Sequence, residues 1–457
     1  MLRQKPLSYF LFFISLLAYF VIAYGVHRHE TVALFSLYFL LFGIYVFVIK
    51  VATSETLEFW ILGAVLFRFV LLLALPNLSD DFYRFIWDGR LLANGIHPFS
   101  ELPDFYLSSG LSIPGIDQAL YDQLNSQAYF TIYPPLAQFI FWISALASPQ
   151  SILGSVVVIR IFVLAAEIGS LFLIKRLLIE FNLHPKKILV YALNPLVILE
   201  LTGNLHFEAF VILFLLLSLY LLYKSKIISA GISFGLAVGA KLLPLIFLPL
   251  FLIRLGLKRS ILFYTSVFIT CLLLFIPLLN SEILNGFGKS IGLYFKSFEF
   301  NASIYYLVRE YGFLTKGYNI IQTVGWKLGL ISGIAILAFS IWPYTLAKKE
   351  GQFRLIRNSY AYPAVVSDVP QVMMWVMFCY FLFTTTLHPW YITTLLMLSL
   401  FTGFRFMVLW SALIFLTYAG YDLNGFTENL YLTAFEYLLV IGYLVYEILC
   451  QKKYTYR

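Results

Sequence analysis

The chain has 457 residues, of which 61% are hydrophobic, 19% aromatic and only 12% charged, and its mean hydropathy is +0.87. This composition excludes a soluble globular domain and indicates a polytopic membrane protein. The formal net charge of +8 is better explained by cytoplasmic loops rich in lysine and arginine than by a nucleic-acid partner. The three cysteines lie in apolar segments and indicate neither a disulfide framework nor a metal site.

Apolar segments recur along the chain and predict an all-α bundle of about 13 transmembrane helices, in one integral-membrane domain that covers residues 1–457. The basic residues beside these segments place both termini in the cytoplasm, and we expect the bundle to lie in a bacterial inner or plasma membrane. Residues 227–253 are long for one helix, and Lys241 and Pro244 predict two broken halves. The predicted spans are 7–26, 31–50, 58–76, 153–174, 188–202, 207–223, 227–253, 260–279, 326–347, 371–387, 389–403, 405–420 and 430–449.

Residues 77–132 form the first large loop, which the order of the spans places on the non-cytoplasmic side. The loop contains seven acidic and only two basic residues. Residues 80–93 are predicted to form a helix, because aspartates favour a first helical turn and the Asn94-Gly95 pair is a stop signal. Residues 134–147 are too short to cross roughly 30 Å of hydrocarbon, so we expect a second helix that lies in the interface.

The predicted helix at 80–93 carries the densest set of ionisable residues in the chain. Its apolar face is expected to lie on the membrane surface, with the carboxylates towards a cavity. Asp80 and Asp81 are the candidates for a general base, which takes the proton of an acceptor hydroxyl as it attacks a sugar C1. Arg84 and Arg90 are candidates for holding a phosphate or diphosphate leaving group, and Asp88 for binding substrate. The structural alternative is pairing of charges four residues apart along the helix.

Three further polar features are predicted to lie on the same side of the membrane. Asn204, His206 and Glu208 fall in a tight turn between two spans and are candidates for binding sugar hydroxyls, or are helix-end residues that meet headgroups. Lys241 lies within an apolar span, where ionisable groups tend to be functional, and is a candidate for binding a lipid-linked phosphate. Snorkelling is its alternative. His388 precedes a Trp-Tyr pair that is typical of the interfacial aromatic belt, and it is a candidate for binding substrate.

The remaining ionisable residues in or near spans are expected to pair between helices. They are Arg68, Glu167 and Glu200. The chain has no H-E-x-x-H motif, no cysteine pair and no glycine-rich phosphate loop, so the sequence predicts no dedicated metal or nucleotide site.

Five short motifs, taken together, resemble the integral-membrane glycosyltransferases of the GT-C superfamily. The resemblance is greatest to the mannosyltransferases that use polyprenyl- or dolichyl-phosphate mannose. It implies that one of Asp80 and Asp81 acts as base, with a divalent metal possible in some members, and that Lys241 meets the donor phosphate. Many relatives have Asp-x-Asp where this chain has adjacent aspartates, which leaves the identity of the base open and weakens the case for a metal. The motifs are DDFYRFIWDGRLLANGIHPF, IYPPLAQF, NPLVILELTGNLHFEAF, GLAVGAKLLPLIFLPLF and HPWY.

The leading hypothesis is a glycosyltransferase that moves a sugar, expected to be mannose, from a polyprenyl-phosphate carrier to a glycan or lipid acceptor on the non-cytoplasmic face. The rival hypothesis from another class is a membrane transporter or lipid-linked sugar flippase, in which the intramembrane ionisable residues would line a path. Paired broken helices in matching halves, which many transporters show, are not apparent. A third hypothesis is an oligosaccharide ligase or glycan polymerase with a diphosphate-linked donor, and a fourth is a purely structural subunit.

Overall fold

The computed structural model describes residues 4–279, 298–341, 344–349, 352–357, 365–423 and 425–450. These residues are mostly helical, which confirms the all-α prediction. Two short antiparallel hairpins are the exceptions, formed by Tyr344–Lys349 with Gln352–Arg357 and by Tyr421–Asp422 with Gly425–Phe426. The predicted cytoplasmic lysines at 452 and 453 lie outside the described residues.

The helices follow one another with short connections, and their bounds are as follows. The α-helices are Gln4–Gly25, Thr31–Val51, Ser54–Phe69, Asp81–Ala93, Pro103–Ser108, Gln118–Asp122, Pro135–Ala147, Ile152–Glu180, Ile188–Ala192, Pro195–Val197, Glu208–Tyr223, Ile227–Ala240, Leu248–Arg254, Leu257–Phe275, Ile304–Lys316, Ile321–Ile341, Val365–Phe383, Tyr391–Ser399, Phe406–Leu413 and Leu430–Cys450. Shorter 3-10 or π-helical turns are Pro185–Lys187, Ile198–Gly203, Leu243–Phe247, Ile276–Leu278 and Ile414–Gly420.

Seven of the described helices are long and apolar enough to cross a membrane, which agrees with a multi-pass membrane protein. The count of 13 stays a prediction, because several expected spans are short or broken. Ser54–Phe69 has only 16 residues and Ile227–Ala240 only 14. The qualifying spans are Pro6–Gly25, Thr31–Val51, Ile152–Glu180, Leu257–Leu278, Ile321–Ile341, Val366–Phe383 and Leu430–Leu449.

The predicted break within residues 227–253 is confirmed. The helix ends at Ala240, Lys241 has an extended backbone with φ −160° and ψ 142°, and a 3-10 turn begins at Leu243. The expected pair of spans at 188–202 and 207–223 is instead a bent unit. The chain bends by 110° between its segments Pro195–Gly203 and Glu208–Tyr223.

One predicted span boundary is wrong. The segment expected to run as a helix from 326 to 347 is helical only over Ile321–Ile341, and residues 344–349 form the first strand of a hairpin. Leu346 and Ala347 continue the apolar run of the sequence, but the pairing of this strand with Gln352–Arg357 supplies the backbone hydrogen bonds that a helix would have supplied.

The predicted acidic helix is present as Asp81–Ala93, and we call it the acidic helix below. It ends where expected: Gly95 has φ +72°, and its backbone N–H donates to the Leu92 carbonyl at 3.0 Å. Nine of its 13 residues are buried within the protein, and its position at the membrane surface stays a prediction. The second predicted interfacial helix, Pro135–Ala147, packs against it.

The acidic helix and Pro135–Ala147 approach closely at Gly89. A Cβ atom at this position would lie 2.3 Å from the backbone oxygen of Phe141. Glycine is therefore required here by the distance between the two backbones.

We expect Gly89→Ala to destabilise the protein by about 1–3 kcal/mol, because the added methyl group must push the two helices apart. Thermal unfolding of the purified protein measures this change. Gly43→Ala is the matched control, since a Cβ at this helical glycine meets no atom within 4 Å. It should leave stability unchanged or raise it slightly. Equal melting temperatures for the two variants would show that the contact is not tight.

Candidate active site

Asp80 and Asp81 lie side by side at the start of the acidic helix, but they have different partners. The Asp80 carboxylate forms an ion pair with Arg28, with 2.6 Å between Nη1 and Oδ2, and about a third of each side chain is exposed. The Arg28 guanidinium also lies over the ring of Tyr421, 4.8 Å from its centre. Sequence reasoning missed Arg28 and Tyr421, because neither belongs to a recognisable motif and they come from opposite ends of the chain.

Asp81 has neutral partners. The Asn125 amide donates to its Oδ1 at 2.7 Å. Its charge also acts on Tyr133: burial raises the pKa of that phenol well above its usual value, and Asp81 adds to the rise. Tyr133 is therefore a neutral hydrogen-bonding group beside this carboxylate. The two adjacent acids thus differ, since one is bound by a cation and the other is not.

Asp88 is fully buried and holds the acidic helix to its neighbours. Its carboxylate accepts from Arg84 Nε and from Gln138 Nε2, each at 2.8 Å, and from the hydroxyl of Thr131. All three donors are buried side chains, so the Asp88 carboxylate is hydrogen-bonded within the protein.

Arg84 and Arg90 are also buried and are held by backbone carbonyls. Arg84 Nη1 donates to the Tyr129 carbonyl at 2.9 Å. Arg90 donates to the carbonyls of Gly115 at 2.6 Å and Gln150 at 2.8 Å. These contacts fasten the loop to the acidic helix. The structure does not bring the two arginines to an open site where they would meet a phosphate.

The bent turn at 204–206 forms a second polar group. Asn204 donates to Glu200 Oε2 at 3.1 Å and accepts from the Leu78 backbone N–H at 3.4 Å, which ties the turn to the residues just before the acid pair. Glu200 is fully buried and also accepts from the Tyr418 hydroxyl at 2.7 Å. His206 Nε2 lies 3.4 Å from Glu200 Oε2.

Two histidines stack on the indole of Trp390. The ring centres of His206 and Trp390 are 3.6 Å apart, and those of His388 and Trp390 are 4.4 Å apart. Burial lowers the pKa of His388 to about 3, and the nearby Lys241 and His206 act in the same direction. His388 is therefore a neutral imidazole that can donate or accept a hydrogen bond.

Lys241 lies at the break between two helical segments, beside these rings. Its ammonium forms an ion pair with the buried carboxylate of Glu208, and it lies 4.2 Å from the centre of the Tyr391 ring. About 29% of the lysine side chain is exposed, against 3% for Glu208. The lysine side chain is thus partly exposed, whereas its partner glutamate is buried.

A continuous row of aromatic rings joins the acid pair to Lys241, and we call it the aromatic row. The ring centre of Tyr421, over which Arg28 lies, is 4.8 Å from that of Phe426. The ring centre of Phe426 is in turn 5.0 Å from that of Phe300. Phe300 is 4.6 Å from His388, which reaches Trp390 as described above. The members of the aromatic row are Tyr421, Phe426, Phe300, His388, Trp390 and Tyr391. The structure therefore brings the loops that hold Asp80, His206, His388 and Lys241 to one end of the bundle.

Two of the three ionisable residues that were expected to pair between helices, Arg68 and Glu167, form a buried ion pair. Arg68 donates to Glu167 at 2.9 Å, and both side chains are fully buried. The Tyr191 hydroxyl donates to the other oxygen of Glu167 at 2.6 Å. These groups tie helices together and do not line a path.

The acid pair does not fit a divalent metal ion. The Asp80 carboxylate forms an ion pair with Arg28, and the Asp81 carboxylate accepts a hydrogen bond from the Asn125 amide. In the described part of the chain, no three histidine, cysteine, aspartate or glutamate side chains form a group that would hold a metal. The reaction proposed for this site therefore uses only protein side chains.

The low pKa of His388 has a consequence for stability. The folded protein keeps this imidazole neutral down to about pH 3, whereas the unfolded chain takes up a proton below about pH 6.5. Its contribution to stability is therefore present above pH 6.5 and is lost as the pH falls towards 3. We expect His388→Gln to lose less thermal stability than the parent over this range. His29→Gln, at an exposed histidine, is the control and should behave as the parent.

Comparison with known proteins gives the family. The model of the family described as alpha-(1->6)-mannopyranosyltransferase, N-terminal domain, matches residues 14–256, slightly more than half of the chain. No curated protein gives a significant match. The matched residues include the acid pair, the bent turn and Lys241, and they carry four of the five motifs that resemble GT-C glycosyltransferases, whereas HPWY lies beyond them. The chain belongs to this family and is an integral-membrane mannosyltransferase of the GT-C type.

Proposed function

We propose that this mannosyltransferase takes mannose from a polyprenyl-phosphate-linked donor and transfers it to a hydroxyl of a glycan or lipid acceptor, on the non-cytoplasmic face. One observation carries the proposal. The acid pair contacts one end of the aromatic row through Arg28, and a partly exposed lysine lies over the ring at its other end. Aromatic faces and neutral hydrogen-bonding groups between a base and a cation suit a sugar whose C1 is being transferred.

Asp81 is the proposed base. Proton uptake by Asp80 would break its ion pair with Arg28, whereas proton uptake by Asp81 disturbs only a neutral amide contact. In the reaction, the acceptor hydroxyl gives its proton to Asp81 and its oxygen forms the new bond to mannose C1. The bond between C1 and the phosphate oxygen breaks, and the phosphate leaves with the electron pair. Asp80 and Arg28 act as positioning residues that fix the start of the acidic helix.

Lys241 is proposed to hold the phosphate of the donor. Its ammonium neutralises the charge that grows on the phosphate as the bond to C1 breaks. In the structure Glu208 forms an ion pair with Lys241, so the donor phosphate competes with this carboxylate for the ammonium. The buried glutamate acts as an internal anion that is displaced from the ammonium when the donor binds.

The histidines and the bent turn are proposed to orient the sugar. His388 is neutral and partly exposed, so it suits a sugar hydroxyl better than an anion. Asn204 and His206 are buried beside Glu200. They support the wall on which Trp390 lies, and His206 stacks on that ring.

A monophosphate carrier is favoured over a diphosphate carrier because of the cations at the site. Lys241 stands beside the aromatic row, while Arg84 and Arg90 are bound to carbonyls within the loop. A single ammonium matches the single charge of a phosphodiester. The ligase or polymerase hypothesis, which needs a grip on two phosphates, has less support from these contacts.

The role of Asp81 is tested by substitution. We expect Asp81→Asn to lower kcat by about 10²–10⁴-fold, because the acceptor hydroxyl loses its base. Asp80→Asn and Arg28→Gln should cost less, and by similar factors, because each breaks the same ion pair. The assay supplies polyprenyl-phosphate mannose to reconstituted vesicles and measures mannose transfer. Asp104→Asn, at an exposed acid in the same loop, should leave the rate unchanged.

Full transfer activity in Asp81→Asn, with the protein folded and inserted, would exclude this residue as the base. If Asp80→Asn alone were inactive, the two acids would have the reverse roles.

The role of Lys241 is tested through donor affinity. Loss of a charge-assisted contact of about 1.5–3 kcal/mol predicts that Lys241→Gln raises the KM for the donor by roughly 10–100-fold. Glu208→Gln removes the competing carboxylate and should lower that KM. A higher KM in both variants would mean that Glu208 positions the lysine and does not compete with phosphate.

A further inference from the structure

A small cavity lies near the outer end of the last helix, apart from the acid pair and Lys241. It is bounded by the first two turns of Leu430–Cys450, by the loop at Asn301 and by the turn Ile414–Gly420. Its walls combine apolar side chains with six side chains that carry oxygen atoms. The oxygen-bearing side chains that line it are Asn301, Thr417, Glu428, Asn429, Thr433 and Glu436.

Two carboxylates, those of Glu428 and Glu436, line this cavity. Glu428 accepts from the Asn301 backbone N–H at 2.7 Å and from the Thr433 hydroxyl at 3.2 Å, and burial raises its pKa. Glu436 is 1% exposed and accepts from Trp410 Nε1 at 2.7 Å and Asn301 Nδ2 at 3.2 Å. Both carboxylates are therefore held in place by donors on one side.

The charge on this pair is poorly balanced by the described residues. The hydrogen-bond donors to Glu436 are an indole and an amide, both neutral, and the Tyr306 hydroxyl that also donates to Glu428 is neutral too. The positive charge that acts on Glu428 is that of Arg309, whose guanidinium donates to Glu299 at 3.0 Å. Buried carboxylates without a compensating cation are costly, and ionisable groups within a membrane domain commonly mark a binding site.

Asn301 supplies an independent observation. The residue is fully buried, and its Oδ1 has no hydrogen-bond partner among the described residues. Its Nδ2 donates to both oxygens of the Glu436 carboxylate, each at 3.2 Å. A buried acceptor without a donor is costly, and a cation beside it would remove that cost.

We propose that a hard, oxygen-liganded cation of the Ca²⁺ class binds in this cavity, held by the carboxylates of Glu428 and Glu436 and by Oδ1 of Asn301. Hydroxyl and backbone oxygens of the lining complete a set that suits such a cation and offers no nitrogen or sulfur ligand. The cation compensates the two carboxylates and satisfies the amide oxygen at once.

Such a cation ties the aromatic row to the last helix. Asn301 follows Phe300, and Glu428 follows the hairpin that carries Tyr421 and Phe426. Binding would fasten both segments to the helix that holds Glu436. The site thus stabilises the fold around the candidate active site without any ligand from the acid pair.

The test uses the full-length protein, freed of divalent ions with a chelator and reconstituted in lipid nanodiscs. Calcium chloride is titrated while the melting temperature is recorded, and calcium binding is measured by calorimetry. We expect a saturable rise of several degrees in the parent protein. Glu436→Gln and Glu428→Gln should fold and lose this rise, because each removes one anionic ligand. The double variant Asp80→Asn, Asp81→Asn should keep it.

Three results would overturn the proposal. The first is a parent melting temperature that depends on pH but not on calcium, which would mean that the two glutamates share a proton only. The second is a calcium response that survives in both glutamine variants. The third is a response that disappears in the double aspartate variant. None of these readouts depends on mannose transfer, so failure of the proposed cation site and failure of the proposed function are distinguishable.

Discussion

The ion pair between Arg84 and Asp88 within the acidic helix is the contact on which the candidate active site depends. A helix with this many charges would ordinarily lie at a water interface. Here Asp88 receives donors from Arg84, Thr131 and Gln138, and the remaining arginine N–H groups reach loop carbonyls. Internal neutralisation lets the helix be buried, and removal of either partner would leave a charge without compensation. These contacts consequently fix the position of the start of this helix, where Asp80 and Asp81 lie.

At the opposite end of the site the charge of Lys241 is also neutralised within the protein, but its side chain is not fully buried. Lys241 lies where the helix Ile227–Ala240 stops, and its ammonium finds both a carboxylate and a ring face. Part of the side chain stays exposed, so this charge is neutralised within the protein yet can still meet a ligand. The difference in burial separates the charges that build the fold from the one proposed to bind the donor.

The sequence predicted the class of fold, the limits of the acidic helix and the break at Lys241, because composition, stop signals and proline act locally. It did not predict that the acidic helix is buried, since the periodicity of a helical segment does not show which loop packs over it. Arg84, Asp88 and Arg90 were candidates for binding substrate, but Arg84 and Asp88 form the i,i+4 pair that was the structural alternative, and their other partners are carbonyls and side chains distant along the chain. Arg28 and Tyr421 were missed because their contact joins positions nearly 400 residues apart, a relation that no local pattern carries.

The aromatic row comes from a different part of the chain than the groups it joins. Asp80, Asp81, His206 and Lys241 fall within residues 14–256, whereas Phe300, His388, Trp390 and Tyr421 lie beyond them. Reactive groups and enclosing walls are thus encoded separately. With the roles proposed for Asp81 and Lys241, substitutions in the later half would change the walls around the sugar while the proposed base and the proposed phosphate-binding lysine stay in place, so the same chemistry could act on different acceptors.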